Sequence, residues 1–375
     1  MATKKGTSRK TATKAAAKRS AARAKSKGGA IARRPQPVTL VTGGTGFLGS
    51  HLVGQLVEAG AGKVRVMASA VPRRLLELGV EPVEGSITDR ADVSRAVEGV
   101  TEVYHLAGRV SRAAEDARAM MAIHVEGTRL LCEAARAAGV KSIVMASTSG
   151  TIAVTETGEE TPDETWPPPL DIISRWPYYA SKYYQEQVAL ENFTGRGQRL
   201  VILNPSLLLG PGDERLSSTK VILDFLARKI NAVPGGGLSF VDVRDAATTF
   251  RRAMQEGRHG ERYLLGSANW SFEKFFGRLE RLSKTPGPRL SFPKSFAVTG
   301  SKFVDALFRQ WNMAPPVEAG AVEMAEYFWY LDAGKARDEL GFAPRDPAET
   351  LHETITYVRE NFLGSEAFKS ATGSK

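Results

Sequence analysis

The chain has 375 residues, of which 42% are hydrophobic and 25% are charged, with a formal net charge of +10. This composition is that of a globular protein with room for a large core and a second lobe, and it excludes collagen, a coiled coil and wholesale disorder. The single cysteine, Cys132, excludes a disulfide framework and a cysteine-rich zinc site.

The positive charge is concentrated at the amino terminus. Residues 1–36 contain twelve Lys or Arg and no Asp or Glu, which leaves 39 of the 51 basic residues, against 41 acidic ones, for the remainder. The first thirty residues have no Leu, Ile, Val or Phe, so we expect a disordered tail. Such a tail suits weak binding of nucleic acid or another polyanion, and a solvated tail without a partner is the alternative. The tail lacks the apolar run of a secretory signal. We therefore expect a cytoplasmic protein with no integral membrane segment.

Short β-branched runs alternate with helical segments from Val38 onward. Alternation at this spacing predicts βαβ units, and so an α/β fold with a doubly wound parallel sheet of the Rossmann type. The predicted strands are Thr39–Thr42, Val64–Ala68, Glu81–Ile87, Val103–Ala107, Ser142–Ala146 and Leu200–Leu203, and the predicted helices are Phe47–Glu58, Asp116–Ala138 and Tyr178–Glu191.

The pattern predicts four parts of the chain. The disordered tail, 1–36, is followed by a Rossmann core, 37–206. Residues 207–365 form a mixed region with a smaller substrate lobe and elements that return to the core at about 238–266, and 366–375 form a flexible terminus. The apolar-aromatic stretch Ser295–Trp311 predicts a helix over the substrate lobe.

A glycine-rich turn separates the first strand from the first helix. Residues 41–49 read V-T-G-G-T-G-F-L-G, which fits G-x-G-x-x-G from Gly44 and G-x-x-G-x-x-G from Gly43. Glycines permit a tight turn and let backbone N–H groups approach a pyrophosphate at the start of a helix. Since this turn follows the first strand of a βαβ series, it predicts a dinucleotide site rather than a simple turn.

A tyrosine and a lysine lie four residues apart in Tyr178-Tyr179-Ala180-Ser181-Lys182. The spacing places Tyr178 and Lys182 on one helical face. A nearby ammonium favours the phenolate and so lowers the pKa of a tyrosine. Such a pair can exchange a proton with an alcohol or carbonyl during hydride transfer. In isolation, Y-x-x-x-K would more often be an ordinary surface pair.

Hydroxyl side chains follow the strand at Ser142–Ala146. The run Ser147-Thr148-Ser149 lies where parallel sheets open their ligand crevice. A Ser/Thr turn that satisfies its own backbone is the alternative.

These three motifs, in this order, resemble the extended short-chain dehydrogenase/reductase family of the NAD-dependent epimerase/dehydratase type. The resemblance covers roughly Val38 to Leu363 and is strongest to the dihydroflavonol-reductase-like and hopanoid-associated epimerase-like branch. Further matching runs are Y-H-L-A-G at 104–108, V-E-G-T at 125–128, L-N-P-S at 203–206, G-P-G-D at 210–213, F-V-D-V-R-D at 240–245 and K-A-R-D-E-L-G at 335–341.

The resemblance implies roles for individual residues. It makes Tyr178 the acid/base and Lys182 the residue that binds the nicotinamide ribose. It places Thr148, or otherwise Ser149, against the reacting oxygen, and it implies no metal. The implied contacts with the cofactor are Gly43, Thr45, Gly46, Phe47, Leu48, Gly49, Ser69, Arg73, Arg74, Ser86, Ile87, Leu106, Ala107, Gly108, Lys182, Asn204 and Pro205.

Two positions depart from the family pattern. His124 stands where the family has Asn in N-V-x-G-T, and Ser86-Ile87 stands where it has Asp-Leu or Asp-Ile. We interpret His124 as a structural or cofactor-adjacent polar group rather than a catalyst.

The end of the second strand bears on the choice between NADP and NAD. An acidic side chain there favours NAD and a basic one favours NADP. Val64 to Leu76 contains no acidic residue but includes Ser69, Arg73 and Arg74. This pattern favours NADP. The alternative is that Arg73 is only a solvated surface charge.

The leading functional hypothesis is a reductase or dehydrogenase that acts on a carbonyl/alcohol pair in a small, fairly apolar molecule. Trp166, Trp176 and Leu207–Leu209 motivate the apolar substrate, although core packing explains them equally well. A nucleotide-sugar epimerase that uses the same residues is the alternative, and a non-catalytic NADP-binding regulator is a third hypothesis. Ser149-Gly150 argues against a dehydratase, since family dehydratases have Asp-Glu there. A homodimer is compatible with the sequence.

Overall fold

The computed structural model describes residues 37–193, 195, 197–291 and 319–364. The predictions for the tail 1–36, for the helix at Ser295–Trp311 and for the terminus 366–375 lie outside these residues. The strands are β1 Val38–Thr42, β2 Lys63–Ala68, β3 Glu81–Glu84, β4 Val100–His105, β5 Ser142–Ala146, β6 Arg199–Pro205, β7 Leu207–Leu209, β8 Ala232–Val233, β9 Gly237–Asp242, β10 Arg262–Leu265, β11 Ala268–Ser271, β12 Leu290–Ser291 and β13 Phe328–Trp329.

The helices lie between these strands. They are α1 Phe47–Glu58, α2 Arg73–Leu76, α3 Arg90–Val97, α4 Ala117–Met121, α5 Gly127–Ala137, α6 Leu170–Ile173, α7 Pro177–Asn192, α8 Lys220–Leu226, α9 Val243–Glu256, α10 Phe272–Ser283, α11 Ala319–Met324, α12 Gly334–Leu340 and α13 Pro347–Phe362. A π-helical segment, Ala122–Glu126, joins α4 to α5. No helix in the described ranges is long and apolar enough to cross a membrane.

The main sheet has seven strands in the order β3-β2-β1-β4-β5-β6-β10. Every neighbouring pair in it is parallel, which confirms the predicted doubly wound Rossmann-type fold. The strand order reverses between β1 and β4, and a ligand crevice opens at the carboxyl ends of strands at such a switch point. The glycine-rich turn after β1 and residues 106–108 after β4 both lie there.

Helices cover both faces of this sheet. Successive side chains of a strand point to opposite faces, and here the apolar ones on each face pack against helices. On β1, Val41 joins a core with Leu52 of α1 and Phe250 of α9. Its neighbour Leu40 joins the opposite core, which includes Leu131 of α5. The strands are therefore buried on both sides, as expected for a parallel sheet.

The largest differences from the sequence prediction fall in three elements. β3 ends at Glu84 because the chain turns at Ser86, whose backbone N–H donates to the Asp92 carboxylate at 2.9 Å. β4 starts at Val100, where it pairs with Val38, and ends at His105. The predicted helix Asp116–Ala138 is three segments, since the π-helical stretch interrupts it.

A second lobe is built on a smaller sheet in which β9 pairs with β7, β11 and β13. Its core contains Phe240 and Trp270 together with Phe275 of α10 and Leu351 of α13. Within the region at about 238–266, β10 joins the main sheet, whereas β9 belongs to the smaller sheet. The smaller sheet therefore lies beside the carboxyl end of β6, next to the crevice.

Candidate active site

The glycine-rich turn has the shape that a phosphate cradle requires. Gly43 adopts φ +70°, and a Cβ there would lie 2.6 Å from the Leu106 backbone. A Cβ on Gly49 would lie 2.2 Å from the Gly43 carbonyl oxygen. Helix α1 has no side-chain cap, and within the helix Ser50 is the first residue whose N–H donates back to the turn, to Gly46 O at 2.9 Å. The first-turn N–H groups therefore remain available, which fits the pyrophosphate of a dinucleotide.

Residues 106–108 lie between this turn and helix α7. A Cβ on Gly108 would be 3.1 Å from His124 Nε2 and 3.9 Å from Lys182 Nζ. The Ala107 N–H donates to Thr42 Oγ1 at 3.3 Å. The structure thus brings the glycine-rich turn, the turn after β4 and Lys182 to one crevice.

Tyr178 lies in the first turn of α7, directly after Pro177. Its ring contacts His124 edge to face, with centroids 6.0 Å apart. Burial raises the pKa of the Tyr178 phenol, Tyr179 adds to the rise, and a side-chain hydrogen bond with Thr148 opposes it. The predicted lowering of this pKa is wrong for the structure, because desolvation of the phenol outweighs the groups that favour the phenolate.

Lys182 is buried, and its ammonium is held by two neutral acceptors. Nζ donates to Ala146 O and to Gln185 Oε1, both at 2.7 Å. Burial lowers the pKa of Lys182 to about 8, against the opposing charge of Glu186. Two of the three ammonium protons are thus used inside the protein, and one remains for a ligand.

Thr148 and Ser149 differ in exposure. Thr148 is half-buried and caps the short turn Ser149–Thr151, whereas Ser149 is 4% exposed. The Thr148 hydroxyl hydrogen-bonds the Tyr178 phenol, so it is the hydroxyl that the structure brings to the tyrosine.

A buried carboxylate supports the strand-end loop from behind. Glu186 accepts hydrogen bonds from Ser147 Oγ, from Thr151 Oγ1 at 2.8 Å and from Asn204 Nδ2 at 2.8 Å. Asn204 also donates to Thr148 O at 3.1 Å. Through these two hydrogen bonds, the amide nitrogen of the fully buried Asn204 links Glu186 to the backbone of the Thr148 loop. Sequence reasoning missed Glu186, although its position four residues after Lys182 extends the Tyr178–Lys182 face.

A chain of polar side chains runs inward from Lys182. Gln185 Nε2 donates to Thr128 Oγ1 at 2.9 Å, and that hydroxyl lies 2.8 Å from His105 Nε2. His105 Nδ1 lies 2.7 Å from Thr42 Oγ1. Burial and the charge of Lys182 lower the pKa of His105 to about 3, so the chain is neutral beyond the ammonium. Sequence reasoning missed Gln185 as well, because nothing in the motif marks a residue three after the lysine.

His124 links the turn after β4 to helix α7. Its Nε2 accepts from the Arg109 N–H at 3.0 Å, and its Nδ1 lies 2.8 Å from Ser181 Oγ. Ser181 Oγ in turn donates to Tyr178 O at 2.8 Å. Burial, with Lys182 and His105, lowers the pKa of His124 to about 2. No three His, Cys, Asp or Glu side chains in the described part of the chain are grouped to hold a metal ion.

The predicted adenine-side residues lie on the surface near β2 and β3. Arg73 pairs with Glu77 at 2.8 Å and its side chain is 91% exposed, while Arg74 pairs with Glu214. Ser86 Oγ lies 2.8 Å from Thr88 Oγ1, and Ile87 packs beneath Gly127. Both arginines are therefore already paired with carboxylates.

An aromatic cluster borders Tyr178. Tyr179 and Trp329 stack with centroids 4.7 Å apart, and Trp176 packs at 5.8 Å from Trp329. A Cβ on Gly150 would lie 2.3 Å from Tyr179 Cε1. The aromatic cluster can therefore pack against the Thr148 loop only because residue 150 is glycine. Of the residues that motivated an apolar substrate, Trp176 belongs to this cluster, Trp166 is 36% exposed and Leu209 is fully buried in the second lobe.

Comparison with known proteins agrees with this geometry. The sequence model of the NAD dependent epimerase/dehydratase family matches residues 39–266. The chain belongs to that family, and it is an NAD(P)-dependent enzyme.

Three relatives illustrate the range of the family. A Synechocystis sp. protein provisionally named dihydroflavonol 4-reductase is 32% identical over 86% of this chain and 94% of its own. Sterol demethylase protein B of Methylococcus capsulatus is 31% identical over 86% of this chain and 98% of its own. The crystal structure of gox2253 is similar with a TM-score of 0.74 and 30% identity over 87% of this chain and 98% of its own.

Proposed function

We propose that this enzyme reduces the carbonyl group of a small, apolar, ring-containing molecule with a nicotinamide cofactor. The observation that carries the proposal is that Tyr178 hydrogen-bonds Thr148 and shares one face of α7 with Lys182, whose Nζ lies 3.9 Å from where a Cβ on Gly108 would be. When bound, the nicotinamide supplies or accepts the hydride. The phosphate cradle fits it, and Lys182 has one free proton for a ribose hydroxyl.

The protein residues supply the proton and hold the oxygen. In the proposed reaction Tyr178 donates its phenolic proton to the carbonyl oxygen while Thr148 hydrogen-bonds the same oxygen. Since burial raises the pKa of Tyr178, the phenol stays protonated at neutral pH and is ready to act as an acid.

A nucleotide-sugar epimerase, which must oxidise and then re-reduce one carbon with the same tyrosine, is the alternative. The aromatic cluster of Trp176, Tyr179 and Trp329 beside Tyr178 suits an apolar ring better than a sugar diphosphate. The names of two relatives, a dihydroflavonol reductase and a sterol demethylase protein, also refer to ring-containing molecules other than nucleotide sugars. These observations support the reductase.

The test measures NADH and NADPH oxidation against dihydroflavonols and steroid ketones, with UDP-glucose as the epimerase substrate. We expect stoichiometric cofactor oxidation with an apolar ketone. Tyr178→Phe should lower turnover by at least about a hundredfold, the scale of a lost acid/base group. The matched control is Tyr184→Phe, since Tyr184 lies on the same helix and is 51% exposed. Interconversion of UDP-glucose without net cofactor oxidation would establish the epimerase instead.

We also propose that the twelve basic residues of 1–36 bind polyanions without sequence readout. A truncated protein that begins at Pro37 should lose salt-sensitive binding to duplex DNA and keep its turnover. Equal binding by both forms would place the contact elsewhere in the chain.

A further inference from the structure

We infer that Gln185 is a positioning residue for Lys182, because its side chain fixes the ammonium and maintains its charge beside Tyr178. This inference rests on the proposed function only for what the lysine does. The hydrogen bond itself, at 2.7 Å between Lys182 Nζ and Gln185 Oε1, belongs to the protein alone.

The amide of Gln185 can face Lys182 in one orientation only. Its nitrogen donates to Thr128 Oγ1 at 2.9 Å and lies 3.4 Å from His105 Nε2. The opposite orientation would place an NH₂ group against the ammonium, so that two donors would face each other. Thr128 and His105 therefore hold the carbonyl oxygen of Gln185 toward Lys182.

This acceptor stabilises the charged form of the lysine. Gln185 is fully buried, and Lys182 is 6% exposed, so no bulk water can replace a lost acceptor. A hydrogen bond to the charged form of a group favours that form. Without Gln185, Ala146 O would be the one remaining hydrogen-bond acceptor that the described residues give to Nζ.

The other charged and titratable groups around Lys182 do not substitute for Gln185. Glu186, on the same helix, bonds to Ser147, Thr151 and Asn204 and faces Arg262 of β10. The groups that face the ammonium from other elements are His105 of β4 and His124 of the π-helical segment, both held neutral by burial. Tyr178, one turn earlier, is a neutral phenol. Gln185 is thus the side chain whose oxygen contacts the ammonium directly.

The experiment measures the pKa of Lys182 by NMR in the full-length protein labelled with [ε-¹³C]lysine. The Lys182→Met spectrum identifies the resonance. Gln185→Leu removes the acceptor, and we expect the pKa to fall by about one unit. Gln185→Glu supplies a charged acceptor at the same place, and we expect the pKa to rise by about one unit or more. The matched control is Gln187→Leu on the same helix, which should leave it unchanged.

NADH affinity provides a second readout. Calorimetric titration between pH 6 and 10 should show binding that weakens as Lys182 loses its proton. The midpoint of this loss should move to lower pH in Gln185→Leu and to higher pH in Gln185→Glu. A merely structural role would lower affinity equally at all pH values. Circular dichroism shows whether each variant is folded, and Gln185→Glu alone suffices for the test if Gln185→Leu does not fold.

An unchanged Lys182 pKa in a folded Gln185 variant would overturn the inference. Shifted pKa values together with full turnover in Tyr178→Phe would instead leave the inference standing and reject the proposed function. The two failures are therefore distinguishable.

Discussion

The glycine-rich turn and helix α7 hold their atoms in place by different means. At the turn the backbone itself forms the surface that we propose binds the cofactor, and Gly43 and Gly49 are needed because any side chain would collide with neighbouring backbone. On α7, buried side chains are fixed by hydrogen bonds that reach β4, α5 and β6. One region therefore depends on the absence of side chains and the other on a connected set of them, so the two should respond differently to substitution and to pH.

The largest expected effect is the loss of NADH affinity when Gly49 in the glycine-rich turn is substituted. Gly49→Ala places a Cβ 2.2 Å from the Gly43 carbonyl oxygen, and relieving such an overlap costs about 1–3 kcal/mol or more. We expect NADH affinity to fall by up to about a hundredfold by calorimetry. Gly54→Ala is the matched control on the same helix, since nothing lies within 4 Å of the added methyl. Normal affinity in Gly49→Ala would show that the turn can move.

The catalytic side should instead be sensitive to acid. His105 and His124 are buried with pKa values lowered to about 3 and about 2, whereas unfolded histidine titrates near about 6.5. The unfolded chain takes up protons first, so stability present above pH 6.5 is lost as the pH falls toward these folded values. Each of these histidines should lower the free energy of unfolding at pH 5 by about 2 kcal/mol relative to pH 7.

Urea unfolding at pH 7 and pH 5 measures this loss. The two histidines together account for part of the loss of unfolding free energy between pH 7 and pH 5. His124→Asn should make this loss smaller by about 2 kcal/mol, which is about half of their joint contribution. His352→Asn, at an exposed position of α13, is the control that should leave the difference unchanged. An equal loss between pH 7 and pH 5 in His124→Asn and wild type would remove His124 from the acid sensitivity.

The smallest effect concerns cofactor choice near β2. Arg74 is paired with Glu214, and exposed pairs of this kind contribute about 0.2–1 kcal/mol. If Arg74 reads the 2′-phosphate of NADP, Glu214→Gln should free it and improve NADPH over NADH binding by about two- to fivefold. Arg74→Ala should have the opposite effect, and Arg73→Ala, on an exposed side chain, is the control. An unchanged NADPH-to-NADH ratio in both Arg74 and Glu214 variants would exclude Arg74 as the discriminating residue.

The sequence predicted best what short segments determine. The glycine spacing at 43–49 and the alternation of strands and helices depend on local backbone preferences, and both agree with the fold and with the family. The position of Tyr178 and Lys182 on one helix follows from a period of four residues.

Prediction failed where distant residues decide the outcome. Arg74 meets Glu214 from 140 positions away, and the acceptor network of Glu186 draws on β6 and the loop after β5. The raised pKa of Tyr178 results from burial by neighbours that the motif does not include. Such long-range contacts leave no periodic signal, so a single sequence does not reveal them.

The π-helical segment Ala122–Glu126 shifts the phase between the two halves of its helix. Each residue turns an α-helix by about 100°, so the extra residue of a π-helical turn rotates the side chains after it by about that angle against those before it. His124 lies at the bulge and points toward Ser181 rather than along the regular helical surface. Deleting one residue here would restore a regular helix while rotating α4 against α5. His124 would then leave Ser181 and the Arg109 N–H, so the length of this segment, and not only its side chains, constrains the site.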